Sequence, residues 1–189
     1  MTMPSDHQRT LHLIKKSKEG DASATGELYQ NHRLGIFRYL FYRTGDMQSA
    51  DDLTSEVFLR MVRFLPGFQI QNAPFRAWLF QIARNVLFDH YRKMNGRSEV
   101  QLEENMAEHP IHSQPRPVEG SLNSVTLQQA LEMLSSEQRD VVVMRFVTGM
   151  SIAEVAHTLN KSEDAIKGLQ RRALSNLRGV LSDWEIHYA

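Results

Sequence analysis

Three groups of side chains in this sequence have the chemical types and spacings that binding or catalysis requires. The first is a basic face, in which Lys167, Arg171 and Arg178 recur at helical spacing with Arg172 beside them and no acid among them. Cations repeated along one helix face suit the phosphates and base edges of nucleic acid. The same pattern also fits the solvated face of an ordinary helical hairpin, so the neighbouring sequence has to separate the two interpretations.

The other two groups are carboxylates and histidines, which are common catalytic and metal-binding side chains. Asp51, Asp52 and Glu56 could form paired catalytic carboxylates, and His109-x-x-His112 could hold a metal. No nucleophile, base or phosphate-binding loop accompanies the acids, and no further ligand accompanies the histidines. The absence of cysteine excludes a disulfide framework, a thiol sensor and a cysteine-ligated zinc. We therefore expect no enzymatic activity, no cofactor and no metal.

The basic face belongs to the second of two short predicted helices. Ser151 followed three residues later by Glu154 is a capping-box signature, which predicts a helix start. Asn160 tolerates the left-handed conformation that ends a helix, and Ser162 can cap the next one. Two helices joined by a short turn, the second with a basic outer face, indicate a DNA-reading helix-turn-helix.

Charge is balanced in total but uneven along the chain. The 189 residues have a net charge of zero, and 41% of them are hydrophobic, enough for a core. Residues 76–97 hold five basic side chains against one acid, residues 161–178 hold five against two, and residues 98–125 hold five Glu and one Arg. This predicts two basic modules separated by an acidic connector. No segment resembles a membrane span or a signal peptide, so we expect a cytoplasmic protein without membrane insertion.

The remaining elements are predicted to be helical. A helix ends near Gly20, a second runs from a cap at Asp21 to about Arg43, and a third follows a cap at Asp46. The third helix has an apolar stripe at Ala50, Leu53, Val57, Met61 and Phe64. Further helices are expected at 75–94, 125–134 and 137–146. The fold class is therefore all-α, with two small helical domains at 1–97 and 125–189 joined by a flexible linker at 98–124.

The helix predicted at 75–94 has a polar face with aromatic side chains next to it. Gln81, Asn85 and Arg92 share this face, and Arg84 and Phe88 lie beside it. Rings stack on unpaired bases and cations follow phosphates, so this combination suits single-stranded DNA. The alternative is that the aromatic residues of this helix are ordinary core, which is the role that we expect for Trp78.

Three stretches of the chain resemble the extracytoplasmic-function sigma factors, compact bacterial transcription initiation factors. They are Gly45-Asp46 through Ala-Asp-Asp-Leu-Thr-Ser-Glu-Val-Phe-Leu59, then Phe-Arg-Ala-Trp-Leu-Phe-Gln-Ile-Ala-Arg-Asn85 with Asp89 and Arg92, and finally 134–178. The resemblance covers about residues 20–97 and 125–181, with the motifs in the family's order around a linker.

The resemblance implies different roles for the two domains. The N-terminal domain would bind the clamp helices of core RNA polymerase through Asp51, Asp52, Ser55 and Glu56. The loop at 66–74 and the helix after it would melt the promoter −10 element and hold the single strand. The residues implied for that role are Phe68, Asn72, Phe75, Arg76, Gln81, Arg84, Asn85, Phe88 and Arg92.

The C-terminal domain is implied to read the double-stranded −35 element in the major groove and to touch the polymerase flap. The residues implied for −35 recognition are Ser162, Lys167, Gln170, Arg171, Arg172 and Arg178. The linker would thread toward the RNA exit path. The family also implies an anti-sigma factor as a partner.

The chain departs from the family pattern at three places. Ser55 stands where the family often has Gln, next to the polymerase-binding acids. The run Gly168-Leu-Gln-Arg-Arg172 replaces the common Ser-Arg-Leu-His-Arg, so Leu169 takes the place of an Arg that could contact DNA. Beyond Ala189 we expect no additional regulatory domain of the kind that some members carry.

A stand-alone helix-turn-helix regulator is the alternative function. Such a protein would use the C-terminal half in the same way but would not bind core polymerase. Its 75–94 helix would then be plain core. Association with core polymerase separates the two functions.

Overall fold

The structure, a computed structural model, describes residues 6–94 and 122–188, with side-chain placements at 8–94 and 127–179. Within these ranges the chain is helical and has no strand, which confirms the all-α fold class. The helices are α1 (Asp6–Lys18), α2 (Ala22–Thr44), α3 (Met47–Phe64), α4 (Phe75–Met94), α5 (Leu122–Glu132), α6 (Ser136–Val142), α7 (Ile152–Leu159) and α8 (Glu163–Tyr188).

The predicted caps of the first helices are confirmed. The Asp21 carboxylate accepts hydrogen bonds from the backbone N–H groups of Ser23 at 2.8 Å and Ala24 at 3.0 Å. Helix α2 ends at Gly45, whose φ of 72° is left-handed and readily adopted by glycine. Asp46 then accepts from the backbone N–H of Ser49 at 2.7 Å and begins α3.

The predicted helix-turn-helix is also confirmed. Ser151 and Glu154 form the reciprocal capping box, with bonds of 3.1 and 2.7 Å. Asn160 ends α7 in the left-handed conformation with a φ of 51°, and Ser162 accepts from the N–H of Ala165 at 3.2 Å. Helix α8 continues to Tyr188, beyond the expected end of the apolar stripe.

The segments around the connector differ from the expected boundaries. Helix α5 begins at Leu122, a few residues earlier than predicted, and α6 ends in a π-helical turn at Val143–Val147. Most of the predicted linker, including His109 and His112, lies outside the described residues. The domain boundaries at 97 and 125 therefore remain predictions.

For one side chain of the predicted apolar stripe of α3, the prediction of burial was wrong. Ala50, Val57 and Met61 are fully or almost fully buried, whereas Phe64 is 49% exposed. The α-helix ends at Phe64, and a 3-10 turn follows, in which Leu65 is only 2% exposed. Leu65 takes the core position that the extrapolated stripe assigned to Phe64.

The buried side chains of both halves form one continuous apolar core. Helix α4 of the N-terminal half packs against α7 of the C-terminal half, and α2 packs against the π-helical turn. The two halves, residues 6–94 and 122–188, therefore dock directly on each other. No helix within these ranges is long and apolar enough to cross a membrane.

Candidate nucleic-acid and polymerase interfaces

The basic face of α8 is exposed to solvent, as predicted. Lys167, Arg171, Arg172 and Arg178 are all exposed, while the opposite face packs into the core through apolar side chains such as Ile166. The cations therefore stand on the outer side of a helix held in place by its inner side. This is the arrangement with which a recognition helix enters a major groove.

Leu169, which stands where the family pattern has Arg, belongs to the inner side of α8. It is 8% exposed and packs in the core, so its side chain stabilises the helix-turn-helix. The next residue, Gln170, is partly buried and accepts a hydrogen bond from Arg145 Nε at 3.2 Å. Lys167, Arg171, Arg172 and Arg178 are the cationic side chains that α8 exposes.

Two of the aromatic side chains predicted for the −10 element lie in the core. Phe68 is 6% and Phe75 is 4% exposed. Their rings pack on Trp78, with centroids 4.6 and 5.6 Å from the indole. This cluster fixes the loop at 66–74 against the start of α4, and Asn72 remains exposed on that loop. Trp78 packs against the core, as expected.

The polar face of α4 lies at the surface beside a small cavity. Asn85 is exposed, and it lines a cavity of about 210 Å³ together with Gln81 and Trp78. The guanidinium of Arg84, the residue before Asn85, lies 4.8 Å from the centre of the Phe88 ring. Cationic, amide and aromatic groups are therefore adjacent on this face, which is the combination that single-stranded DNA requires.

Ion pairs connect the end of this face to α3. Arg60 Nη1 lies 2.8 Å from Asp89 Oδ2, and Arg92 also pairs with Asp89. Arg92 is thus oriented by a neighbouring carboxylate and remains exposed.

Three of the side chains predicted for the −10 element make contacts with the C-terminal half. Arg76 donates to the carbonyl oxygen of Thr148, Gln81 donates to that of His157 at 2.8 Å, and Arg84 Nε lies 3.2 Å from the carboxylate of Asp140. The sequence did not predict these contacts.

Asp140 makes buried contacts that the sequence analysis did not predict. It is fully buried and accepts a hydrogen bond from the hydroxyl of Tyr39 at 2.9 Å. Burial, followed by the nearby Asp140 carboxylate, raises the pKa of Tyr39 well above its ordinary value, so the hydroxyl keeps its proton and acts as the donor. A signal was available, since Asp140 directly precedes an apolar run, and a buried carboxylate requires partners.

The acidic face of α3 is exposed and has an apolar extension. Asp52 and Ser55 are exposed, and Asp51 and Glu56 each pair with an Arg of the same half, at 2.8 and 2.7 Å. Leu59, one turn farther along, is 68% exposed and was not predicted as part of a surface. An acidic patch next to a large exposed apolar side chain is typical of a protein-binding surface.

His32 lies in the groove between the two halves. Its pKa is lowered from 6.5 to about 4, first by burial and then by Arg76, against an opposing effect of Glu154. The groove also contains Arg38, and Glu154 is a residue of the C-terminal half. The folded chain therefore keeps His32 neutral at pH values where the unfolded chain protonates it.

We expect the free energy of unfolding to decrease as pH falls from 6.5 toward about 4, because only the unfolded chain gains a proton on His32 there. The shift in the His32 pKa corresponds to about 3 kcal/mol of unfolding free energy. This contribution is complete above the pKa of His32 in the unfolded chain and is lost as pH falls to its pKa in the folded chain. Urea denaturation of the parent and of His32→Gln across this range checks it. The free energy of unfolding should fall more steeply with decreasing pH in the parent than in His32→Gln. Equal slopes for the two proteins would contradict the assignment of the pH dependence to His32.

Comparisons with known proteins identify the family to which this chain belongs. The model of Sigma-70 region 2 matches residues 28–97, and that of Sigma-70 region 4 matches residues 130–179. The chain is 38% identical over 180 residues to the ECF RNA polymerase sigma factor BldN of Streptomyces coelicolor, covering 95% of this chain and 68% of that protein. It is 31% identical over 170 residues to SigL of Mycobacterium tuberculosis, covering 90% and 96%.

Solved structures share the fold. CnrH in complex with the cytosolic domain of CnrY matches with a TM-score of 0.73 and 24% identity, covering 93% of this chain and 98% of that one. The sigma factor RpoE of Bartonella quintana, solved with the anti-sigma factor NepR, matches with a TM-score of 0.61 and 24% identity, covering 82% and 97%.

The two halves are thus regions 2 and 4 of a sigma-70-type transcription initiation factor. The chain belongs to the extracytoplasmic-function family of RNA polymerase sigma factors. It directs core RNA polymerase to promoters and binds promoter DNA, and the stand-alone regulator is not favoured.

Proposed function

We propose that three separate faces of this chain carry out the steps of promoter recognition. The outer face of α3 binds core polymerase, the polar face of α4 with its preceding loop holds the single-stranded −10 element, and the basic face of α8 reads the −35 duplex. The faces lie on different helices, so one chain can contact polymerase and both promoter elements at once. This residue-level assignment goes beyond family membership.

The face for core polymerase combines charge and apolar surface. Asp51, Asp52, Ser55 and Glu56 supply the polar part, and Leu59 supplies an apolar side chain that is 68% exposed. Charge complementarity orients a partner, and burial of an exposed apolar side chain provides affinity. Its proposed partner is a basic helical surface with an apolar centre.

The face for the −10 element is formed mainly by α4. Asn85 offers an amide to a base edge, Arg84 and Arg92 offer cations to phosphates, and Phe88 offers a ring beside them. The cavity next to Asn85 provides space for a base that has left the stack. We assign Phe68 and Phe75, whose rings are buried, to shaping the loop that presents Asn72.

The face for the −35 element is the exposed side of α8. Lys167 and Arg171 are one turn apart and point outward, which suits base edges in the major groove. Arg172 and Arg178 extend the cationic surface toward the backbone phosphates. Ser162, at the start of the helix, is placed where a phosphate meets the positive end of the helix dipole.

An anti-sigma factor is the proposed regulator of this chain. The related fold of RpoE was solved in complex with one, and this chain offers a groove of about 520 Å³ between its two halves. We also propose that the chain works in the cytoplasm with polymerase and has no catalytic activity of its own.

The observation that carries the proposal is the separation of an exposed acidic face on α3 from an exposed basic face on α8. Multi-round transcription with purified core polymerase and a library of promoters tests it. Transcripts should start at a restricted set of promoters only when this chain is added. If core polymerase neither binds the chain nor gains promoter selectivity, the proposed function is wrong.

Charge reversal on α3 is expected to weaken association with core polymerase. Asp52→Lys is the sharpest variant, because Asp52 is exposed and, unlike Asp51 and Glu56, makes no ion pair with another described residue. Like charges at a basic interface repel, so affinity should fall at least about tenfold. Binding to core polymerase by fluorescence anisotropy measures the effect.

Glu19→Lys is the matched control, since Glu19 is exposed in the turn between α1 and α2 and is not part of the acidic face on α3. It should bind core polymerase as the parent does. Both variants should unfold within about 0.5 kcal/mol of the parent, as exposed substitutions usually do. A large stability loss in Asp52→Lys with intact polymerase binding would show that the patch is structural.

A further inference from the structure

An exposed ion pair lies on the outer face of α8, within the surface that the proposed function assigns to the −35 duplex. Asp164 Oδ1 lies 3.0 Å from Lys167 Nζ, and the two side chains are 92% and 52% exposed. The pair therefore projects into solvent and contributes nothing to the core of the C-terminal half. Both of its charged groups are accessible to a duplex that binds this face.

Asp164 shares one helix face with two of the cations that are proposed to contact DNA. Asp164, Lys167 and Arg171 occupy positions i, i+3 and i+7, which lie above one another on an α-helix. The side chains of Ile166 and Ala173 point the other way and are fully buried. Helix α8 begins at the preceding residue, so Asp164 is in the first turn, the part of a recognition helix that contacts base edges.

A carboxylate in this position opposes general attraction to DNA. Phosphates attract Lys167 and Arg171 but repel Asp164, so the acid weakens binding that is independent of sequence. A favourable interaction with the helix dipole does not require an acid among the cations, because Glu163, on another side of the same turn, also provides it. A contact with a base gives Asp164 a role that its place on the DNA-facing side explains.

The ion pair presents an acceptor beside a donor. Asp164 Oδ2 has no hydrogen-bond partner among the described residues, and Lys167 Nζ keeps further donors beyond the one that Asp164 Oδ1 accepts. In the major groove, cytosine presents its N4 amino group as a donor, and guanine presents O6 and N7 as acceptors. Cytosine N4 and guanine O6 are neighbours because they hydrogen-bond to each other within the base pair. The ion pair therefore matches a G·C pair in one orientation.

We propose that Asp164 is a specificity-determining residue that reads a cytosine in the −35 element. Its carboxylate accepts a hydrogen bond from cytosine N4, and Lys167 donates to the guanine of the same base pair. In the reversed base pair the amino group faces Lys167 and the guanine oxygen faces Asp164, so both contacts are repulsive and that orientation is rejected. The inference rests on the proposed assignment of the basic face of α8 to the −35 duplex.

Asp164→Asn tests this contact. The amide keeps the size of the side chain but removes its charge, and an Asn side chain pairs with N6 and N7 of adenine. The probe is a pool of promoter duplexes with a constant −10 element and a randomised −35 element, transcribed by the holoenzyme and sequenced. The parent should prefer cytosine to adenine at one position of the −35 element. In Asp164→Asn that ratio should fall about fivefold or more.

Glu163→Gln is the matched control. It makes the same change from acid to amide at the neighbouring exposed residue, about 100° away around the helix. Each variant loses one charge that repels phosphates, so both should bind promoter DNA of every sequence more tightly than the parent. Only Asp164→Asn should change the ranking of the bases. Both side chains are exposed, so both variants should keep the parental helicity by circular dichroism.

The results also separate this inference from the proposed function. A parent holoenzyme whose transcription does not depend on the −35 sequence contradicts the proposed role of α8. Suppose instead that transcription by the parent depends on that sequence. The inference alone is then overturned if Asp164→Asn keeps the parental ranking of bases, or if Glu163→Gln changes the ranking in the same way.

Discussion

Promoter DNA stays closed at the −10 element when this protein is added alone, and opens when core polymerase is added with it. This is the expected result for a duplex that carries a fluorescent base analogue in that element. Unstacking costs a few kcal/mol per step, more than the exposed part of α4 recovers by itself. We expect polymerase to supply the missing free energy by holding the two halves at a spacing that fits both promoter elements, which raises the effective concentration of the second DNA contact.

Replacing Asn85 by Ala should reduce opening by the holoenzyme. Asn85 is exposed beside the cavity on α4, so its amide is available to a base in the open complex. Loss of hydrogen bonds to that base costs about 1–3 kcal/mol. The equilibrium constant for formation of the open complex should fall about tenfold for each 1.4 kcal/mol lost. The fluorescence amplitude at saturating polymerase measures the loss.

Asn31→Ala removes an exposed amide from α2 instead and should leave the amplitude unchanged. Efficient opening by the protein alone would rule out a conventional sigma mechanism and would point to an autonomous DNA-remodelling protein. Unchanged opening by Asn85→Ala would remove this residue from the proposed −10 face.

Recognition of the −35 element should depend on Lys167 and Arg171. Both are exposed on α8, so Ala at either position removes a contact without disturbing the buried side of the helix. A bidentate base contact is worth about 1–3 kcal/mol, and its loss relaxes specificity at one base pair. A phosphate contact instead weakens binding to every sequence and lowers the salt slope by about one. Transcription from −35 variants at several salt concentrations distinguishes these roles.

Lys15→Ala is the control for charge, since it removes one exposed cation from α1 in the other half. It should transcribe as the parent does, and the two α8 variants should keep parental affinity for core polymerase. Parental transcription by both α8 variants from a −35-dependent promoter would show that the recognition helix is misassigned.

Local sequence signals were sufficient for the helix boundaries and for the surfaces of single helices. The caps at Asp21, Asp46 and Ser151 and the left-handed Asn160 act within a few residues, so their effect is readable from neighbours alone. The basic face of α8 follows in the same way from the periodicity of one helix. Periodicity failed at Phe64, which was predicted to be buried but is exposed. The α-helix ends there, and Leu65 in the following turn is buried instead.

Tertiary structure decided which predicted site residues are accessible. Phe68 and Phe75 have the chemistry for stacking on bases, yet their rings are buried against Trp78, because burying a large aromatic ring in a core is strongly favourable. Arg84 was predicted only as a DNA contact, and it also meets a carboxylate 56 residues away in the chain. A pairing at that separation leaves no periodic trace in the sequence. The docking of the two halves, and with it the covering of α4, was therefore visible only in the folded chain.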